Sequence, residues 1–186
     1  MRFNRCLPHE MALSLLVLSA APGCSGEAES ESETRACSSA APSIDENTAL
    51  ATPLGGTGVP ITSLVLVDDT TRELVLSANV RSEDQGRELH GRAFINYGVE
   101  PPMAFAGFGG GETVAPATCD QVRTVHATLD LSKLDDGCYQ VALVVTHEFD
   151  NATVIPADTD DVAMTVWWMV KGDPATIDFG ACPGVP

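Results

Sequence analysis

The segment "SKLDDGCYQVALVVTHEF", Ser132 to Phe149, decides the fold. It opens on a turn, because Leu134-Asp135-Asp136-Gly137 combines two side chains that bond their own backbone with a residue free to take positive φ. It then runs through Val141-Ala142-Leu143-Val144-Val145, a short apolar stretch rich in β-branched residues. A run of that length bounded by turn signals reads as a strand buried on both faces. Side chains two apart share a face, so Val141, Leu143 and Val145 point one way and Ala142 and Val144 the other. A strand of this kind needs neighbours on both edges and a second layer over it.

The flanking sequence supplies them. "RELVLSANVRS" (72–82) alternates through Leu74, Leu76, Ala78 and Val80, the two-residue period of a half-buried strand. "DQVRTVHATLDL" (120–131) alternates through Val122, Val125 or Thr124, and Leu129. "ITSLVLVDD" (61–69), "LHGRAFINYG" (89–98) and "VAMTVWWMVKG" (162–172) read as further strands. "EDQGRE" (83–88) and "DNATVIPADTDD" (150–161) are polar connections. Val99 to Ala117 is loop-like at both ends, with room for an edge strand near Met103–Phe108. Trp167 and Trp168 are adjacent in the last strand, so one faces the core and the other faces away. About seven short strands without a helical period predict an all-β fold, an antiparallel Ig-like β-sandwich over residues 60–186 including its tail. A jelly roll or small barrel is the alternative.

Two resemblances sharpen this. Leu134 to Tyr139 resembles the corner of fibronectin-III and other Ig-like domains, where an aromatic residue or His opens the strand after an acidic-Gly turn. Residues 60–182 also resemble single-domain, Ig-like envelope lipoproteins of bacteria. The likeness is carried by Arg92-Ala93-Phe94-Ile95-Asn96-Tyr97, by Gly137 to Val141 and by Trp167 to Val170. Val145-Thr146-His147 stands where Val-Ser-Asp is more usual. These are core and turn residues, so the resemblance implies a fold and no activity.

The N-terminus carries Arg2 and Arg5, then the apolar stretch Met11–Ala21, too short to span ~30 Å of hydrocarbon as a helix. Basic start, short apolar core and small residues before a cut make a secretory signal over residues 1–23. Ala21-Pro22-Gly23-Cys24 resembles the lipobox of bacterial lipoproteins, with Pro22 departing from the usual Ala or Ser. The resemblance implies cleavage before Cys24 and acylation of Cys24. "SGEAESESETR" (25–35) cannot bury apolar surface, and residues 36–59 stay rich in Ser, Ala, Thr, Pro and Gly. Residues 24–59 are therefore expected to be a lipidated, flexible tether. Ser25 follows the anchor where an Asp is absent, and by analogy with lipoprotein sorting this points to the outer membrane.

The 186 residues carry 10 Lys+Arg against 26 Asp+Glu, a formal charge of −16. All but Arg2, Arg5 and Glu10 follow Gly23, so the exported part is acidic and would repel a nucleic-acid backbone. No Gly-x-Ser-x-Gly is present. His90, His126 and His147 have no metal-ligand spacing, and "GFGGGET" (107–113) lacks the Lys of a phosphate loop and reads as a mobile loop. No catalytic residue is assigned, and the protein is not expected to be an enzyme. Asp68-Asp69, Asp135-Asp136 and the group Asp158, Asp160 and Asp161 lie in turns, where strand-end carboxylates could converge on calcium. Turn chemistry explains them without a metal, so no cofactor is expected. Asn151-Ala152-Thr153 matches the glycosylation sequon by chance.

With Cys6 cleaved and Cys24 acylated, Cys37, Cys119, Cys138 and Cys182 remain, and export makes them a disulfide framework. Cys119 precedes the strand over 122–131 and Cys138 opens the next one. Ten residues at ~3.3 Å each put those two roughly 30 Å apart, beyond the ~7 Å between Cα atoms that a disulfide spans. The last strand runs back towards Cys138, and Cys182 follows it. The expected pairs are Cys138–Cys182 and Cys37–Cys119. The functional expectation is a monomeric, lipid-anchored envelope protein whose Ig-like domain is structural or meets a protein or glycan partner. The alternative is a calcium- or carbohydrate-binding adhesive surface domain.

Overall fold

The strands of the computed structural model, which describes residues 40–84, 86–98, 109–119, 121–151, 155–177 and 182, follow the two-residue period closely. In chain order they are β1 (Ser43–Pro53), β2 (Val59–Pro60), β3 (Val65–Val67), β4 (Glu73–Arg81), β5 (Leu89–Ile95), β6 (Gly109–Val114), β7 (Arg123–Asp130), β8 (Gly137–Thr146) and β9 (Val162–Lys171). Hydrogen bonding orders them β2-β1-β4-β7-β6-β5-β8-β9-β3. Among the described residues all pairs are antiparallel except β3 with β9, where Val65–Val67 runs parallel to Met169–Lys171. The expectation of a purely antiparallel sheet is corrected on that edge.

This order folds into two layers because one strand serves both. In β6, Gly109–Gly111 pairs with β7, and Glu112–Val114 pairs with β5. Strands that switch sheets make such corners, and glycine permits the close approach. A Cβ on Gly111 would sit 3.0 Å from the Gly91 carbonyl oxygen and 3.1 Å from Arg92 Cγ. The glycine-rich segment expected as a loop is thus partly a strand. The edge strand expected over 103–108 falls outside the described residues.

One core lies between the layers. Leu74, Leu76, Ala78 and Val80 of β4 and Val125, Ala127 and Leu129 of β7 face Val141, Leu143 and Val145 of β8 and Trp167 and Met169 of β9. Trp167 is fully buried and its indole N–H donates to the Val59 carbonyl at 3.2 Å, tying β9 to β2. Trp168 is only half-buried. Burying side chains of this size contributes roughly 1.5–3 kcal/mol each. Outside the second layer, Phe94, Ala142, Val144 and Phe149 form a smaller apolar cluster, with the Arg92 guanidinium 4.3 Å from the Phe149 ring centre. β8 is therefore buried on both faces, as its composition requires.

Two turns settle the register. Tyr139 donates its hydroxyl proton to the Asp135 carbonyl at 2.8 Å, closing the corner between β7 and β8. Asn96 takes φ of 53°, its N–H bonds the Gln140 carbonyl, and its side-chain oxygen accepts from the Gln140 N–H, which ends β5.

The boundary drawn at residue 60 moves. Ser43–Pro53 is a strand paired with β4, so the structured domain begins inside the stretch assigned to the tether. Its pattern is weak because its fully buried positions are only Ala49 and Ala51, with Ile44 partly buried against the core, and a register shift separates Asp45 from Leu50. Thr48 repairs the shift, its hydroxyl accepting the Asn79 N–H at 2.9 Å. In β7 the inward position before Val125 belongs to Arg123, and Val122 is exposed. Cys138 and Cys182 form a disulfide with Cα atoms 5.3 Å apart, as strand direction requires. Cys119 is also disulfide-bonded; the pairing expected for it, with Cys37, lies outside the described residues, as do Cys24 and the signal segment.

Candidate functional site

Three strand ends meet at one end of the sandwich. β4 stops at Arg81 and is followed by Ser82, β8 stops at Thr146 and is followed by His147, and Asp161 precedes β9. Thr146 pairs with Val162, which puts His147 beside Asp161. Two local bonds shape the approach to β9: the Asp158 carboxylate accepts the Asp160 N–H at 2.9 Å, and the Asp161 N–H donates to the Asp158 carbonyl.

The three side chains form a continuous relay. His147 Nδ1 lies 2.6 Å from Asp161 Oδ1, and His147 Nε2 lies 2.7 Å from Ser82 Oγ. Asp161 Oδ2 also accepts the His147 backbone N–H at 3.2 Å, so one carboxylate holds both the ring and its backbone. With Asp161 ionised, the neutral ring carries its proton on Nδ1 and leaves Nε2 to accept from the Ser82 hydroxyl. The Asp84 N–H donates to Ser82 Oγ at 3.2 Å. Asp84 Oδ2 lies 3.9 Å from His147 Nδ1 and binds Arg87 at 2.8 Å. Ser82 is 2% exposed and His147 5%. Asp84 and Asp161 also line an open cavity of about 320 Å³, whose walls include Arg87, Glu148, Asp158 and Asp160.

A buried arginine opens β7. Arg123 donates from Nη1 to the Ala115 carbonyl at 2.7 Å, and its Nε is buried without a hydrogen-bond partner. Burial holds its guanidinium below the ordinary arginine range.

The other sequence candidates separate. His126 is exposed, with its backbone N–H held by the Glu112 carboxylate at 2.6 Å, and His90 lies 3.0 Å from the Thr113 hydroxyl. Asp68 uses one carboxylate oxygen on the N–H and hydroxyl groups of Thr70 and Thr71 at 2.7–2.9 Å, bonds that lower its pKa, the Thr70 hydroxyl most. Asp68-Asp69 and Asp135-Asp136 lie at the end of the sandwich where β8 begins, and Asp158, Asp160 and Asp161 lie where β8 finishes. Ten residues of strand separate these groups by roughly 30 Å, so they do not converge. Among the described residues no group of three or more His, Cys, Asp or Glu side chains is arranged to hold a metal ion.

Ser82 was not legible as a partner. It is 65 residues from His147, and Asp161 is 14 residues beyond it, with no motif around any of them. The one available signal was the polar residue immediately outside each strand.

No family model and no curated protein matches the chain. Several solved structures resemble it at low identity. In one, a complex of zinc 2-glycoprotein and prolactin inducible protein from human seminal plasma, the similar chain is 15% identical, with a TM-score of 0.36, 70% of this chain covered and 93% of that one. The CARDB domain of a Pyrococcus furiosus protein is 12% identical, with a TM-score of 0.33 and coverage of 72% and 97%. The CooA pilin subunit of enterotoxigenic Escherichia coli is 9% identical, with a TM-score of 0.29 and coverage of 68% and 99%.

Proposed function

We propose that the protein is a lipid-anchored envelope lipoprotein whose Ig-like β-sandwich serves as a structural or binding module for a protein or glycan partner. The observation that carries the reading is Cys24 at the seam between the apolar segment and the acidic tether. The disulfides at Cys138–Cys182 and at Cys119 support it, because such bonds persist in chains that leave the reducing cytoplasm. Acyl chains bury about 0.8 kcal/mol per CH₂, so two or more hold a domain of this size at a membrane. The acidic, Ser-rich segment after the anchor sets the domain off from that surface. The anchor sequence favours the outer membrane, and the loops at the sandwich ends are the surfaces a partner would meet.

The test is metabolic labelling with a fatty-acid analogue in the native host or a Gram-negative one. The wild-type chain takes up label and fractionates with the outer membrane, whereas Cys24→Ser takes up none and accumulates as precursor. Normal processing of Cys24→Ser would overturn the anchor, leaving the domain a soluble exported module.

A further inference from the structure

We propose that Ser82 is a nucleophile towards small neutral esters, with His147 as its base and Asp161 as the residue that positions the base. This goes beyond the anchoring described above and does not rest on it. Nucleophilic serines are recognised by geometry: a base within hydrogen-bond reach of the hydroxyl, and a third group orienting the base. Both contacts are formed here, at 2.7 and 2.6 Å. With both nitrogens engaged, the ring cannot turn away without breaking two bonds, and Asp161 also holds the His147 backbone N–H. An apolar side chain at 147 would close this end of the core without the desolvation that a buried imidazole and its carboxylate incur. Packing alone therefore does not account for the relay.

The Asp84 N–H donates to Ser82 Oγ itself at 3.2 Å and, with the His147 contact, fixes the direction of the hydroxyl. Ser82 is covered, at 2% exposure. Neither it nor His147 lines the cavity; Asp84 and Asp161, which bond them, do, so the cavity opens onto the hydroxyl only when those two residues shift aside. Its lining sets the substrate class. Five carboxylates against the one guanidinium of Arg87 repel an anionic acyl donor and admit a neutral one.

The step balances without a co-reactant other than water. Ser82 Oγ bonds to the acyl carbon as its proton passes to His147 Nε2. The ester C–O bond then breaks, and the departing alcohol takes that proton. Water, deprotonated by the same nitrogen, releases the acid and regenerates the hydroxyl.

The test uses the full chain in mild detergent with a neutral alkyl fluorophosphonate, followed by mass mapping of the adduct. The expected result is an adduct on Ser82 in the folded protein, none in guanidinium-denatured protein and none in Ser82→Ala. Asp161→Asn, assayed below its own melting temperature, should slow labelling about a hundredfold or more, and His147→Gln should abolish it. Hydrolysis of p-nitrophenyl acetate should fall in the same order across the variants. If a variant does not fold, the comparison of folded with denatured wild type decides alone. The proposal is overturned if Ser82 stays unlabelled in the folded chain while a control serine hydrolase reacts fully. It is equally overturned if folded and denatured chains label alike, or if folded His147→Gln keeps the wild-type rate; the relay is then a structural clasp.

Discussion

Tyr139 shows how much one residue at the start of a strand can settle. Its hydroxyl donates to the Asp135 carbonyl across the turn, and its ring is half-buried against the core. Tyr139→Phe keeps the ring and loses that bond, so it should lower unfolding stability by about 0.5–1.5 kcal/mol in a denaturant titration. The same site predicts a pH dependence. Burial, then the nearby charges of Asp135 and Asp136, push the Tyr139 hydroxyl above the ordinary tyrosine value, and burial does the same for Tyr97. A group raised on folding contributes stability that is whole below its unfolded pKa of about 10 and is lost as pH rises through the folded one. The chain has two tyrosines. Ultraviolet titration of the native protein should therefore show no phenol ionising at the ordinary value, and Tyr139→Phe should remove one of the two late transitions.

At the scale of elements, the contact between β5 and β7 decides how closely the layers approach. Gly91 occupies an inward position of β5, paired with Val145, and a Cβ there would collide with Cγ1 of Val125 in β7. Valine is stiff at χ1 and cannot swing aside. Gly91→Ala should therefore cost about 1–3 kcal/mol, the usual price of an overpacked core. Adding Val125→Ala should recover part of that loss, a non-additivity that thermal unfolding of the four proteins would measure. The strands themselves were legible to different degrees. β4 and β8 announce themselves because each inward position is apolar. β1 hides, because two small alanines fill its buried positions and a register shift sets Ile44 out of step with them. β6 hides because glycines leave no side-chain period to read, yet their lack of side chains is what lets it pass between layers.

At the scale of the whole molecule, the Cys138–Cys182 bond fastens the chain beyond β9 to the start of β8 across a separation of 44 residues. Closing a loop of that length restricts the unfolded chain and should contribute about 2–4 kcal/mol. Replacing both cysteines with alanine should lower the unfolding free energy by that amount while far-ultraviolet circular dichroism stays that of a β-sheet protein. A larger loss, with the strand signal gone, would show that the tail helps hold β9 in place.

The sequence by itself determined the all-β class, the central place of β8, the facing of Val141, Leu143 and Val145, and the partner of Cys138. Each follows from a local period or from the direction of neighbouring strands, which are properties of residues close in the chain. Tertiary structure alone decided that Trp167 and not Trp168 enters the core, that β3 lies parallel to β9, and that Ser82, His147 and Asp161 meet. Alternation says that two adjacent side chains diverge, and it cannot say which face a second layer will cover. Likewise, residues just outside three strands become neighbours only when the sandwich closes and brings those strand ends to one rim.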